Sequence, residues 1–211
     1  MAISAKGKLI QSVRAEIGAP ISECKRAIEE CDGDIQDAMI LLREWGFNQM
    51  QLRKKPQNHA FVTSYIHHNN QVGVILELRT ETDFCAQTDE VKLFARQLAM
   101  HVAATKPLYI GLQEVKNTVR QAWENEALKH AESKINAVSE AEMERIRRSR
   151  LQKHMNQNCL LHQIFICDEK VQQRVEDILA SLCQKTGEKI TISRFTYYEA
   201  GGDVIHATYT N

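Results

Sequence analysis

A chain of 211 residues can hold one good core, or a small module plus a main domain. Its 43% apolar and 26% charged content are ordinary for a folded globular protein and exclude disordered and fibrous classes. Lys+Arg and Asp+Glu number 27 each, so the basic excess that supports tight non-specific nucleic-acid binding is missing, and nucleic acid is not an expected direct partner.

No apolar run approaches the roughly 18 residues that suggest a membrane span. The start, Met1-Ala2-Ile3-Ser4-Ala5-Lys6, lacks the apolar stretch of a secretory signal. A cytoplasmic location is expected, or an organelle matrix with the transit peptide absent from the sequence. The six cysteines, Cys24, Cys31, Cys85, Cys159, Cys167 and Cys183, form no Cys-x-x-Cys pair and read as small apolar core residues.

The first segment reads as three short helices. Leu9, Ile10, Val13 and Ile17 share one helical face. Gly18-Ala19-Pro20 breaks that helix and starts the next, whose stripe is Ile21, Cys24, Ile28 and Cys31. Gly33 suits a position just past a helix end, and Asp34 suits the following N-cap. Ile35, Ala38, Met39 and Leu42 form the third stripe, with Gly46 as its expected stop. Residues 1–48 are therefore read as a module too small to bury much core, suited to docking. Residues 49–59, with Arg53-Lys54-Lys55-Pro56, read as a linker whose charges are solvated.

From residue 60 the period changes to alternation. Val62, Ser64 and Ile66 alternate with Phe61, Thr63 and Tyr65. Val72, Val74, Leu76 and Leu78 alternate with Gly73, Ile75, Glu77 and Arg79. Asn69-Asn70 tolerates the positive φ of a tight turn, so the spacing predicts a β-hairpin with one apolar face. A helix is expected over 89–104, with Val91, Phe94, Ala95, Leu98 and Val102 inward and Pro107 enforcing its end. The charged stretch 115–153 reads as two helices, or one hairpin packed on one side, because Trp123, Leu128, Ile135, Val138 and Ile146 hold no single stripe. Leu160 to Ile166 reads as a strand or extended run, and 171–183 as a helix. Ile190, Ile192 and Arg194-Phe195 then predict a strand. Gly201-Gly202-Asp203 turns the chain toward a last strand over 204–209. Residues 60–211 are thus an α+β core with an antiparallel sheet of three or more strands.

No phosphate-binding loop, His-Glu-x-x-His or Gly-x-Ser-x-Gly is present, so an enzyme is not expected, nor a cofactor or metal. Two minor alternatives use His67-His68 with Cys85 or His101 as zinc ligands, or Cys85 as a nucleophile. The outstanding feature is Glu81-Thr82-Asp83-Phe84-Cys85-Ala86, between a strand and a helix, where loops carry function. An exposed Phe84 beside an acid makes a good interface anchor. Equally, Phe84 covers the near end of the following helix. The residues alone leave these two readings open.

Thr82-Asp83-Phe84 with Ala86, then Leu98-Ala99-Met100-His101-Val102-Ala103-Ala104 and Lys106-Pro107-Leu108-Tyr109, resemble the core of elongation factor Ts. Ser64-Tyr65-Ile66-His67-His68 and Val72-Gly73-Val74-Ile75-Leu76-Glu77 are similar to that family too. Cys24-Lys25-Arg26-Ala27 and Gly33-Asp34-Ile35 resemble its ubiquitin-associated-like N-terminal domain, and Arg194-Phe195 with Glu199 and Gly201 its last strands. The resemblance implies a guanine-nucleotide exchange factor for elongation factor Tu in translation elongation. Thr82, Asp83, Phe84 and His68 would contact that GTPase, with Phe84 intruding near its magnesium site. The sequence departs from the family at Asn69-Asn70, where glycines are usual, and at Ile164, where a proline is. It carries one hairpin-plus-helix unit where long members carry two, so a homodimer is expected. The charged stretch 115–153 matches poorly and receives no role. Competing readings are an adaptor binding a ubiquitin-like or nascent-chain partner through residues 1–50, and an RNA-binding face along Arg145, Arg147, Arg148, Arg150 and Lys153, which Glu140, Glu142 and Glu144 beside it argue against.

Overall fold

The computed structural model describes residues 5–17, 19–52, 55–133, 140–167 and 173–209. It is a mixed α+β structure whose four-stranded antiparallel sheet has the order β1-β2-β3-β4. The strands are β1 (His59–Ile66), β2 (Val72–Thr80), β3 (Thr191–Glu199) and β4 (Val204–Thr208). The chain forms two compact units, one of Met1–Phe61, Leu78–Phe94 and Glu176–Thr191, the other of Val62–Glu77, Ala95–Val175 and Ile192–Asn211.

In the first unit, α1 (Ala5–Ile17), α2 (Ile21–Glu30) and α3 (Ile35–Leu52) bury Val13, Cys24, Ala27, Ile28, Ala38, Met39 and Leu42 together. They follow the predicted stripes with two differences: Ile21, expected inward in the first turn of α2, is 54% exposed, and Ala27, in no predicted stripe, is buried in its place; the side chain of Ile17 lies outside the described residues. Pro20, whose ring suits φ −56°, stands at the N-cap of α2. That helix closes with a Schellman motif. Asp32 takes φ +50° just past the cap, Gly33 follows at φ +90°, and the Gly33 N–H donates to the Ile28 carbonyl at 2.9 Å. Gly33 therefore sits one place later than expected. Asp34 caps α3 as expected, its Oδ1 accepting from Gln36 N (2.8 Å) and Asp37 N (3.0 Å). The Arg26 guanidinium lies 3.6 Å from the Trp45 ring centre, tying α2 to α3.

Gly46 does not stop α3, which runs on to Leu52. A helix tolerates an interior glycine at a cost of about 1 kcal/mol, and no proline follows until Pro56. The stretch read as a linker thus begins inside the helix. Arg53 and Lys54 lie outside the described residues.

β2 buries Val74, Leu76 and Leu78 on its inward face. The turn before it closes with the Asn70 N–H on the His67 carbonyl and the His67 N–H on the Val72 carbonyl, each 2.8 Å. Asn70 alone of the turn asparagines takes positive φ, at +56°. The sheet has a second apolar surface that alternation did not reveal. In the second unit Val62, Ile66, Ile75, Tyr198 and Val204 are all exposed large side chains. β3 and β4 pair antiparallel with Tyr198 opposite Val204 and Phe195 opposite Ala207. Tyr209 lies past the end of β4, yet its N–H still reaches the Ser193 carbonyl at 2.7 Å.

Two helices follow β2. The one-turn α4 (Asp83–Gln87) is new, and α5 (Asp89–Thr105) is as expected to within a residue. The charged stretch forms two helices, α6 (Asn117–Ser133) and α7 (Glu140–Asn158), which pack together. Ala127 is the only fully buried described residue of that pair, so it is packed on one side. Ile135 and Val138 lie outside the described residues. Trp123 stacks on His154 with 5.5 Å between ring centres and 6° between planes, and Tyr109 meets Trp123 edge-on.

Leu160 to Ile166 is not a strand. A 3-10 turn covers Leu160–His162, and Ile164 makes one isolated bridge to Arg174. Its backbone is used elsewhere: the Phe165 N–H reaches the Gln173 carbonyl, and the Ile166 N–H reaches His101 Nδ1 at 3.3 Å. The last helix, α8 (Val175–Thr186), starts later than the apolar pattern predicts; Val171 lies outside the described residues.

Candidate functional site

The segment Thr80 to Cys85 is a capped turn, not a free loop. Thr82 is extended, at φ −127° and ψ 157°, and its Oγ1 accepts the Cys85 N–H at 3.2 Å, which starts α4. The Thr80 hydroxyl donates to the Thr82 carbonyl at 2.7 Å. From a residue 106 positions away, the Glu188 carboxylate accepts both the Thr82 N–H (3.0 Å) and the Thr82 hydroxyl (2.6 Å). The neighbouring pair is matched in reverse, the Lys189 N–H donating to Glu81 Oε1 at 2.9 Å. Gln57 adds a strap, donating to the carbonyls of Lys189 (2.8 Å) and Arg79 (3.2 Å). All these residues belong to the first unit.

This frame fixes which side chains turn in. Cys85 and Ala86 are each 2% exposed, whereas Phe84 is 81% exposed. Of the two readings left open by the sequence, covering the end of the following helix does not hold: the ring faces solvent. Asp83 is exposed as well, its Oδ1 accepting the Phe84 N–H at 2.9 Å. Burial pushes the Cys85 thiol up to about 11, and the Glu188 charge beside it adds to the effect. A buried thiol held protonated is not an activated nucleophile.

His68 belongs to the second unit and is exposed in the β1–β2 turn. Its ring lies 4.2 Å from that of His67, whose Nδ1 meets the Tyr65 hydroxyl at 3.0 Å. The tip of the turn is held by local bonds, including the Gln71 N–H on Asn69 Oδ1 at 3.1 Å, while at its foot the Gln71 carbonyl accepts the Ala200 N–H at 2.8 Å. Thr82, Asp83 and Phe84 are thus brought together in one turn, and His68 stands in a different one.

His101 is no zinc ligand. It is fully buried, and both ring nitrogens are used. Its Nε2 lies 3.0 Å from Gln163 Oε1 and its Nδ1 accepts the Ile166 N–H. A carbonyl oxygen only accepts and a backbone N–H only donates, so the ring is neutral with its proton on Nε2. Burial holds its pKa below the ordinary imidazole value. Among the described residues no group of three potential metal ligands is found. No described helix is long and apolar enough to cross a membrane.

The basic run on α7 is balanced locally. Arg145 pairs with Glu142 at 2.8 Å, and Arg147 and Arg148 both pair with Glu144, at 2.9 and 3.0 Å. A shallow groove there is lined by His130, Arg145, Ile146, Ser149, Arg150 and Lys153. This is the solvated face that the neighbouring glutamates predict.

Sequence reasoning missed Glu188 and Gln57, and it named Glu81 only as the start of the motif, without its partner Lys189. No local signal marks them, because each acts across a long stretch of chain.

A family model described as elongation factor TS matches residues 25–174. The elongation factor Ts of Thermotoga neapolitana is 38% identical over 194 residues, covering 92% of this chain and 95% of that protein. That of Moorella thermoacetica is 35% identical over 199 residues, covering 94% and 96%. That of Thermosipho melanesiensis is 34% identical over 195 residues, covering 92% and 97%. Similarity of this extent, running through the capped turn, the hairpin and the helices around them, makes the chain a member of the elongation factor Ts family.

Proposed function

We propose that the chain is a guanine-nucleotide exchange factor, not an enzyme, that binds GDP-loaded elongation factor Tu and speeds GDP release during translation elongation. The observation that carries this reading is Phe84, a ring 81% exposed on a turn that is hydrogen-bonded through Thr82 and followed by the buried Cys85 and Ala86. A large rigid ring left exposed on a fixed frame forgoes the stabilisation of burial within its own chain and can gain it against a partner.

Phe84 acts as the wedge and Asp83 supplies the directional polar contact. Magnesium neutralises the phosphates of a bound nucleotide, so displacing the groups that hold it weakens GDP. The metal belongs to the GTPase, and this chain needs none. The factor accelerates exchange by binding the nucleotide-free state more tightly than the loaded one. His68 makes a secondary contact. The three N-terminal helices serve as a ubiquitin-associated-like module that docks elsewhere on the GTPase. The working place is the cytoplasm, or an organelle matrix.

The functional form is a homodimer. Val62, Ile66, Ile75, Tyr198 and Val204 give the sheet an exposed apolar face that a second copy would cover. Ile75→Glu is expected to convert the dimer to a monomer in light scattering; a parent chain monomeric at tens of micromolar would rule the dimer out.

The exchange reading is tested by release of a fluorescent GDP analogue from elongation factor Tu, with the parent chain, Phe84→Ala and Asp83→Ala. Acceleration by the parent, lost mainly in Phe84→Ala at unchanged melting temperature, is the expected result. No acceleration at saturating parent protein would overturn the reading and bring a partner-binding adaptor to the front.

A further inference from the structure

We propose that Glu188 is a positioning residue for the Phe84 turn, holding the wedge in its working orientation from a distant part of the chain. The inference rests on the exchange reading above and adds a residue to it. A threonine hydroxyl has one hydrogen to give. At Thr82 that hydrogen goes to Glu188 Oε1 at 2.6 Å, the short distance of a hydroxyl on a carboxylate. The lone pairs of the same oxygen are then aimed at the Cys85 N–H, 3.2 Å away. The donor and acceptor roles reinforce each other, since a hydroxyl that donates to an anion becomes a better acceptor. The second carboxylate oxygen takes the Thr82 N–H at 3.0 Å, which fixes the backbone as well as the side chain.

Phe84 lies between the two ends of this chain of bonds. Its backbone runs from Thr82, tied to Glu188, to Cys85, tied to Thr82, so the direction of its Cα–Cβ bond follows from the clamp. A ring 81% exposed has little packing of its own to hold it. Glu188 in turn sits on a short connection shaped by Gly187 at φ +69° and anchored by the Lys189 N–H on Glu81. The two chain segments exchange bonds in register, 82 with 188 and 81 with 189, which resists sliding as well as separation. The raised pKa of the Cys85 thiol is in keeping with this arrangement, because the Glu188 carboxylate is among its causes.

The test compares GDP-analogue release from elongation factor Tu for the parent chain, Glu188→Ala, Glu188→Gln, Thr82→Val, Phe84→Ala and the Glu188→Ala/Phe84→Ala double variant. Site-resolved alkylation of Cys85 and Cys183 is followed by peptide mass spectrometry in the same samples. Glu188→Ala is expected to lower acceleration on the order of tenfold, the size of losing a charge-assisted clamp. Glu188→Gln, which keeps one acceptor, is expected to fall between it and the parent, and Thr82→Val to match Glu188→Ala. The double variant is expected to be no worse than Phe84→Ala alone, because a positioning residue has nothing left to position. Cys85 is expected to alkylate faster in Glu188→Ala while Cys183, buried in the same unit, keeps its parent rate. That pattern separates a loosened turn from a loosened fold.

Parent-like acceleration by Glu188→Ala, with Phe84→Ala inactive, would overturn the inference and leave the wedge standing. Losses that multiply in the double variant would overturn it too. Were Cys183 to be exposed along with Cys85 in Glu188→Ala, the comparison passes to Glu188→Gln, where parent-like release and alkylation would again overturn it. If Phe84→Ala itself keeps full activity, it is the exchange reading of the turn that fails.

Discussion

Two exposed turns flank strand β2 in the chain, and they are built differently. The tip of the His68 turn is held by bonds between residues a few positions apart, and its long-range bond, the Ala200 N–H on the Gln71 carbonyl, lies at the foot, next to β2. The Phe84 turn is held by Glu188, 106 residues away. Local bonds fix the shape of a tip but leave it freer to rock on its foot. A long-range clamp fixes a shape relative to the rest of its unit. A group meant to push into another protein's site needs the second kind of support, because a wedge that yields on contact transmits no force to the groups it must displace. A group that adds one contact at a rim manages with the first.

The largest effect separating the two turns is expected at Phe84. Truncation of a central aromatic anchor typically costs about 2 kcal/mol or more of binding, or roughly thirtyfold in the GDP-release assay. Thermal stability should change little, because the removed ring faces solvent. A Phe84→Ala protein that melts several degrees low would show instead that the ring packs on its own unit, and the contrast between the turns would lose its basis.

Much of this was legible beforehand. The three N-terminal helices announce themselves through local signals: a proline at one start, Asp34 at another, Gly33 past an end. The hairpin and α5 follow from clean periodicities. What failed was whatever depends on distant partners. Gly46 looked like a stop, but a glycine ends a helix only where the following residues favour another conformation, and Phe47 to Leu52 do not. Residues 160–166 read as a strand or extended run because they are apolar, yet they open with a 3-10 turn and their later backbone N–H groups go to His101 and Gln173. The five residues of α4 are too few to show a period, and the carboxylate that orients their cap comes from the other side of α8. The exposure of Phe84 was therefore undecidable from its neighbours in sequence.

The buried counterpart to these turns is His101, where a polar group is fixed from several sides with no exposure at all. Its Nε2–H faces Gln163 Oε1, and the Thr105 hydroxyl lies 2.9 Å from that same oxygen and from the His101 carbonyl, with one hydrogen to share between them. Gln163 Nε2 donates on to the Gln157 carbonyl. Protonating His101 would place an N–H at Nδ1 against the Ile166 N–H, donor facing donor. Its folded pKa is lowered below an unfolded value of about 6.5. The unfolded chain therefore takes up the proton first as pH falls. The stabilisation is complete above about pH 6.5 and is lost progressively as pH drops toward the folded pKa, by at most about 1.4 kcal/mol per pH unit for one group. Urea unfolding at pH 8 and pH 5.5 should show the fall, and His101→Gln should remove that part of the pH dependence. An unchanged slope in the variant would mean that other groups carry it.

Substitution at the locally held turn should be milder. His68→Ala is expected to slow GDP release roughly threefold, as for a contact at the rim of an interface. Its effect should multiply with that of Phe84→Ala, since the two stand on separate supports and share no bonded partner. A loss as large as that of Phe84→Ala would make the local turn a second anchor, and rigidity would no longer distinguish the two.

The smallest effect concerns the frame of His68 itself. Asn70 takes φ +56°, a region asparagine enters more easily than other side chains but less easily than glycine. Asn70→Gly removes that strain but also frees the unfolded chain, and the two contributions oppose each other, so stability should stay within about 0.5 kcal/mol. Asn70→Ala meets the strain without the tolerance and should cost about 1 kcal/mol. In the release assay Asn70→Gly should be indistinguishable from the parent, because the Asn69 side chain still holds the Gln71 N–H. A clear gain in exchange on placing glycine there would mean that the asparagine holds His68 away from the GTPase, and that even a locally supported turn is stiff enough to mis-aim its contact.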